Sequence, residues 1–232
     1  MKFQILYIDP PWKYNSRANH KTRFRGGADG HYPLMAIKDI KAMPIADIAK
    51  DRAILFMWAT FPFLKEQLEV IEAWGFKYTT IGFLWVKLNP RGQKWPFDSK
   101  KQYVTYDNMF HTTFFGVGFY SKSCCEPCLI ATRGRPLRPI SNKVSSLVIS
   151  PRGEHSRKPN EVRDRIIQLY GDVPRIELFG RPDNLIDPLF PKSDNGWVTL
   201  GNAIDGKDIR ESIGEIRDME ALQWQKGISL LK

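Results

Sequence analysis

The chain has 232 residues, 42 % of them hydrophobic, which supports one sizeable core in a single large domain. Its formal net charge of +10 points toward a polyanionic partner. No apolar run approaches the roughly 20 residues that span a bilayer, and the opening MKFQILYIDPPW lacks a small-residue cleavage site, so it reads as a first strand and the chain is expected in the cytoplasm, without membrane contact.

In chain order, FQILYI (3–8), AILFMWAT (53–60), TTIGFLWVK (79–87), PCLIAT (127–132), SSLVIS (145–150), RIELFG (175–180) and GWVTLGN (196–202) read as strands. Most are continuous apolar runs, the pattern of strands covered on both faces. PFLKEQLEVIEAWG (62–75) places Leu64, Leu68, Ile71 and Trp74 on one helical stripe, between Pro62 and Gly75. KPNEVRDRIIQLYG (158–171) does the same with Val162, Ile166 and Leu169, between Pro159 and Gly171. This alternation predicts a doubly wound, mostly parallel α/β sheet. The tail KDIRESIGEIRDMEALQWQ (207–225), with Ile209, Ile213, Ile216 and Trp224 on one side, reads as an amphipathic helix docked on the domain; the other reading is a helix for a partner.

Two long irregular stretches interrupt the pattern. Residues 13–32 carry Lys13, Arg17, Lys21, Arg23 and Arg25 against the single acid Asp29, and read as a basic loop for nucleic acid. Residues 89–123 interleave basic and aromatic side chains, among them Trp95, Phe97, Tyr103 and Tyr106, and form a candidate recognition loop. Cys124, Cys125 and Cys128 are an odd, clustered set that argues against a disulfide framework. Cys125-x-x-Cys128 is half a zinc spacing, with His111 and His155 as conceivable partners. No second such pair exists, so the cysteines read as packing residues and no metal is expected.

The first strand stops at Asp9-Pro10-Pro11-Trp12. As structure alone, this is a sharp turn in which proline ends the ladder. As chemistry, it puts an acid at a strand's carboxyl tip, where open α/β sheets bind ligands. A residue before proline is held extended, so a fixed carboxylate and a fixed carbonyl together can accept both hydrogens of an exocyclic amino group. Trp12 offers a flat face for a base, worth about 1–3 kcal/mol by analogy with single-strand binding.

Asp9-Pro10-Pro11-Trp12 resembles the catalytic motif of amino-methyltransferases dependent on S-adenosylmethionine. HSRKPNEVRDRI, RIELFGRPDN and GWVTLGNAIDG, in that order, resemble the messenger-RNA adenosine methyltransferase family and its bacterial and phage relatives, from Gln4 to about Gly206. The resemblance implies a Rossmann-like methyltransferase domain over residues 1–206 with permuted motif order, the catalytic strand coming first, and leaves 207–232 as a helical tail. It implies that Asp9 and Pro10 receive the target amino group, with Asp9 also near the cofactor's methionine end. Pro11 belongs to the same catalytic turn. Trp12 and Tyr32 would wall the base pocket. Lys158 would pair with the cofactor carboxylate, Phe179, Arg181 and Asn184 would line its ribose and methionine side, and Asn202 would hold a ribose hydroxyl.

The chain departs from the eukaryotic members at Asp183, where they often carry His, and at Ala203, where they carry Gln; residues 185–194 are an insertion. The expected activity is methylation of adenine N6 in nucleic acid, in a bacterium or a phage-infected cell. DNA is favoured over RNA, because a compact basic chain without zinc fingers is more like the prokaryotic branch. A homodimer or a related partner subunit stays open as an assembly. The alternatives are an inactive nucleic-acid-binding subunit of the same fold and an unrelated nucleotide-binding α/β protein.

Overall fold

The computed structural model describes residues 1–13, 34–89, 113–114, 116, 120–135, 137–153, 157–180 and 196–225. Its frame is one seven-stranded sheet. The strands are β1 Phe3–Ile8, β2 Ala49–Trp58, β3 Lys77–Leu88, β4 Cys125–Arg133, β5 Leu147–Pro151, β6 Arg175–Leu178 and β7 Trp197–Leu200, in the order β5-β3-β4-β2-β1-β6-β7. β4 runs antiparallel to both its neighbours, and every other pairing is parallel. The sheet is therefore mixed and mostly parallel, as its apolar runs predict. The predicted segments fall on the observed strands, with β2, β3 and β4 extending further than their apolar cores.

Helices cover both faces, because successive residues of a strand face opposite ways. Leu6, Ile8, Leu55, Met57, Ile176 and Leu178 form one core with Ile40, Ile48, Val70, Ile71 and Ile213. These last residues come from α1 Ile37–Lys41, α2 Ile45–Ile48, α3 Leu64–Ala73 and α6 Ile209–Gln225. Ile5, Tyr7, Ile54, Phe56, Trp58 and Phe83 form the other core with Val162 and Ile166 of α4 Glu161–Tyr170. A short helix, α5 Asn202–Asp205, follows β7.

Local chemistry fixes the elements near the site. A single 3₁₀ turn at Phe61–Phe63 leads into α3, and buried Gln67 pins that entry: it accepts from the Thr60 backbone N–H and donates to Thr60 Oγ1, both at 3.1 Å. α4 is tied to β6 by Arg163 and Glu177, 3.3 Å apart and both buried. α6 docks on the domain through buried Ile209, Ile213 and Ile216, and its start is capped by Asp208, which accepts from the Arg210 backbone N–H at 2.9 Å. The side chain of Trp224 lies outside those described.

The strand order creates a switch point. β2, the strand after β1, lies on one side of it, and β6 lies on the other. In open α/β sheets, ligands bind beyond the carboxyl ends of the strands at such a point. The register sets Ile8 opposite both Met57 and Leu178, so Asp9, Trp58 and Phe179 meet at one edge.

Candidate active site

The chain turns sharply after β1. The Trp12 N–H donates to the Pro10 carbonyl at 2.9 Å, and the next two ladder bonds tie the turn to Met35: Met35 N–H to Pro11 O at 2.8 Å and Lys13 N–H to Met35 O at 3.1 Å. These bonds pin together the two ends of the segment that carries the basic loop. Asp9 lies at the tip with its side chain 33 % exposed.

Lys158 reaches Asp9 from the turn before α4. Its Nζ donates to Asp9 Oδ2 at 2.9 Å and stands 3.4 Å from Glu126 Oε2, an ion-pair distance longer than a good hydrogen bond. Glu126, the second residue of β4, also accepts from Lys87 Nζ at the end of β3. The result is a chain of alternating charge, Lys87–Glu126–Lys158–Asp9, laid across four strand ends. Burial pushes the Glu126 carboxyl up, but Lys158 and Lys87 more than offset it, and the group titrates below its ordinary value of 4.5. A lysine near a helix start is unfavourable to the helix dipole; here two carboxylates account for it.

Two tryptophans lie beneath the lysines. Lys158 Nζ sits 5.6 Å from the Trp58 ring centre and Lys87 Nζ sits 5.2 Å from that of Trp85, both within cation–π range. The two rings meet edge to face at 6.2 Å. Trp58 Nε1 donates to the Tyr7 hydroxyl at 2.6 Å. Burial raises the Tyr7 phenol well above 10.0, so it stays neutral. Burial likewise raises Cys128 well above 9.0, and Cys125 is raised by burial and then by Cys124. All three cysteines are free thiols.

On the other side of Asp9, β6 is followed by Phe179, whose φ of 62° is the one positive value among the described non-glycine residues. A left-handed non-glycine residue costs about 1–2 kcal/mol, and such strain concentrates at binding sites. The Gly180 N–H donates to the Leu200 carbonyl at 2.9 Å. There the β6 and β7 exits touch: a Cβ on Gly201 would fall 2.4 Å from Gly180 O, and one on Gly180 would fall 2.2 Å from Thr199 Cγ2. Glycine at both positions brings bare backbone to the cleft. Asn202 follows at the start of α5, exposed, with Nδ2 donating to Gly206 O at 3.3 Å and Lys207 O at 3.2 Å. Its side chain thus closes the turn after β7.

Of the residues expected at the site, the structure brings Asp9, Pro10, Pro11, Lys158, Phe179 and Asn202 to this edge. Trp12 is 5 % exposed and packs in the core beside α1, α3 and α6, with no partner for its buried indole N–H among the described residues. Its ring is a foundation of the turn here, not an open stacking face. Lys13 is exposed. Tyr32, Arg17, Lys21, Arg23, Arg25, Arg181 and Asn184, the aromatic residues of 89–123 named above, His111, His155 and the 185–194 insertion lie outside the described residues. The sequence reading missed Glu126 and Lys87. The available signal was a lone acid opening a strand beside a lysine closing one, in CCEPCLIAT and GFLWVK.

A mostly parallel α/β sheet with an acid at the switch point, a lysine paired to it and glycine backbone opposite is the arrangement in which α/β enzymes bind their ligands. Residues 3–203 match the MT-A70 family model. The chain belongs to the MT-A70 family, the adenine methyltransferases that its sequence motifs resemble. It is 29 % identical over 230 residues to the Type II methyltransferase M.MunI of a Mycoplasma species, covering 93 % of this chain and 84 % of that one. It is 24 % identical over 205 residues to the human N(6)-adenosine-methyltransferase catalytic subunit METTL3, covering 88 % of this chain but 29 % of that protein. The Drosophila melanogaster N(6)-adenosine-methyltransferase MT-A70-like protein aligns likewise, at 24 % identity over 88 % of this chain and 27 % of its own length.

Lys158 at this edge offers the cation that the carboxylate of S-adenosylmethionine requires, and Gly180 and Gly201 pack so closely where β6 and β7 leave the sheet that a side chain at either position would collide. Among the described residues no helix is long and apolar enough to cross a membrane.

Proposed function

We propose that the protein transfers a methyl group from S-adenosylmethionine to the N6 amino group of adenine in DNA. The observation that carries this reading is the Asp9–Lys158 pair, 2.9 Å apart at the switch point of a chain that matches the MT-A70 model over residues 3–203. Lys158, Phe179 and Asn202, with Arg181 and Asn184 by family resemblance, would hold the cofactor. When bound, it supplies a methyl group on a positively charged sulfur. Tyr32 would close over the base, and Lys13, Arg17, Lys21, Arg23 and Arg25 would grip phosphates without reading sequence.

The chain's own groups do the rest by placement. The adenine amino group is a poor nucleophile because its lone pair is delocalised into the ring. The Asp9 carboxylate and the Pro10 carbonyl, which keeps a second lone pair beyond its bond from Trp12, accept its two hydrogens and draw the nitrogen toward tetrahedral geometry. The positive charge that would grow on the nitrogen, as the methyl group leaves a neutral thioether behind, would lie against the Asp9 carboxylate, and the surplus N6 proton would pass to solvent. With the cofactor bound, Lys158 would pair with its carboxylate in place of Asp9. A duplex adenine must be flipped out to reach this edge.

DNA is preferred because the alignment covers most of a Type II methyltransferase but under a third of the adenosine methyltransferases. Methyl-labelled S-adenosylmethionine, supplied with duplex DNA, single-stranded DNA and RNA of matched sequence, tests this reading. Label is expected mainly in DNA; label confined to RNA overturns the choice of polymer.

A further inference from the structure

Trp58 closes β2 one residue beyond the last register pair with β1, so its indole lies beside Asp9. The indole is 1 % exposed, and its N–H is fixed by the 2.6 Å bond to Tyr7 on the adjacent strand. Burial and this bond together hold the ring in one orientation. Lys158 rests 5.6 Å from its centre, and on its other sides meets Asp9 Oδ2 and Glu126 Oε2 at 2.9 and 3.4 Å. A lysine tether is flexible, and two carboxylates bound its ammonium only from the sides. The ring face adds a support beneath the ammonium.

An aromatic face also differs from a third carboxylate in kind. It stabilises a cation through its quadrupole, and any N–H contact with its face is weak beside a carboxylate's hydrogen bond. A lysine resting on it can exchange one carboxylate partner for another without leaving its support. We propose that Trp58, locked by Tyr7, is a positioning residue for Lys158, forming the floor on which the ammonium turns from Asp9 to the cofactor's carboxylate. The inference rests on the assignment of Lys158 to the cofactor.

A double-mutant cycle on S-adenosylmethionine binding, read by calorimetry without nucleic acid, tests it. In the Lys158 background, Trp58→Phe keeps a ring and should stay within about threefold of wild type, while Trp58→Met should weaken binding about tenfold. In the Lys158→Met background, Trp58→Met should cost less than about twofold, since the residue it supports is gone. Tyr7→Phe removes only the lock; it provides a milder arm should Trp58→Met fail to fold, and should weaken binding only while Lys158 is present. Equal losses in both backgrounds mean that Trp58 merely shapes the fold, and overturn the inference alone. A wild-type protein that binds no S-adenosylmethionine overturns the cofactor reading, and the inference with it.

Discussion

Replacing Glu126 by Gln removes the shared counter-charge of Lys87 and Lys158 while keeping the shape. The side chains of Lys87, Glu126 and Lys158 are only 12–15 % exposed, so water replaces little of the lost interaction. At an effective dielectric near 20, each contact is worth roughly 4 kcal/mol before desolvation. Breaking a buried pair costs about 3–5 kcal/mol net. Residual hydration and the amide oxygen reduce this to about 2–3 kcal/mol, which for a domain of this size lowers Tm by about 5–10 °C. The loss should depend on pH with a definite sign. Glu126 titrates below 4.5 when folded, so its contribution is complete above that pH and disappears as pH falls through the folded value. Urea unfolding of wild type and Glu126→Gln should therefore differ fully at pH 7 and converge in acid. A Tm shift under about 1 °C at neutral pH, or a gap undiminished in acid, would refute this reasoning.

Other predictions follow from neighbouring observations. Gly201→Ala drives a Cβ to 2.4 Å from backbone, whereas Gly206→Ala meets nothing within 4 Å despite its φ of 73°. The first should cost about 1–3 kcal/mol and abolish S-adenosylmethionine binding, and the second about 1 kcal/mol with binding intact, as read by thermal melts and calorimetry. Iodoacetamide at neutral pH should spare Cys128 and label Cys125 slowly in the native protein, because burial raises both thiols, and all three cysteines should label after denaturation; rapid native labelling of Cys128 in a mass-spectrometric time course would contradict its buried placement. Replacing Arg23 and Arg25 by Ala should weaken binding to all DNA sequences alike and lower the salt slope by roughly 0.9 per lost contact; an unchanged slope means that these residues do not touch phosphate.

The sheet was legible because strands buried on both faces are written as continuous apolar runs, and Asp9 was legible because two prolines mark where the first run must stop. Strand order and direction were not. PCLIAT reads the same whichever way it points, and only its antiparallel insertion between β2 and β3 brings Glu126 to the carboxyl edge. With that direction unknown, the cysteines drew attention in CCEPCLIAT and the acid between them did not. Lys158 was legible from its awkward place before a helix, although its second carboxylate was not. Trp12 shows the opposite case: its motif suggested an exposed aromatic face, but adjacency in sequence does not fix which way a side chain turns after two prolines, and the ring packs into the core.

The central claim is that the Asp9 carboxylate receives the adenine amino group. Its most direct test is to digest DNA methylated by wild type and by Asp9→Asn and to identify the product nucleosides by mass spectrometry, after unfolding curves and S-adenosylmethionine titrations confirm that the variant folds and binds cofactor. The wild-type product should be N6-methyladenine, and turnover should be about 10²–10³-fold lower in the variant, the usual effect of losing a preorganised electrostatic group. Methylation at another base or ring position, or a variant with near-normal turnover, would contradict it.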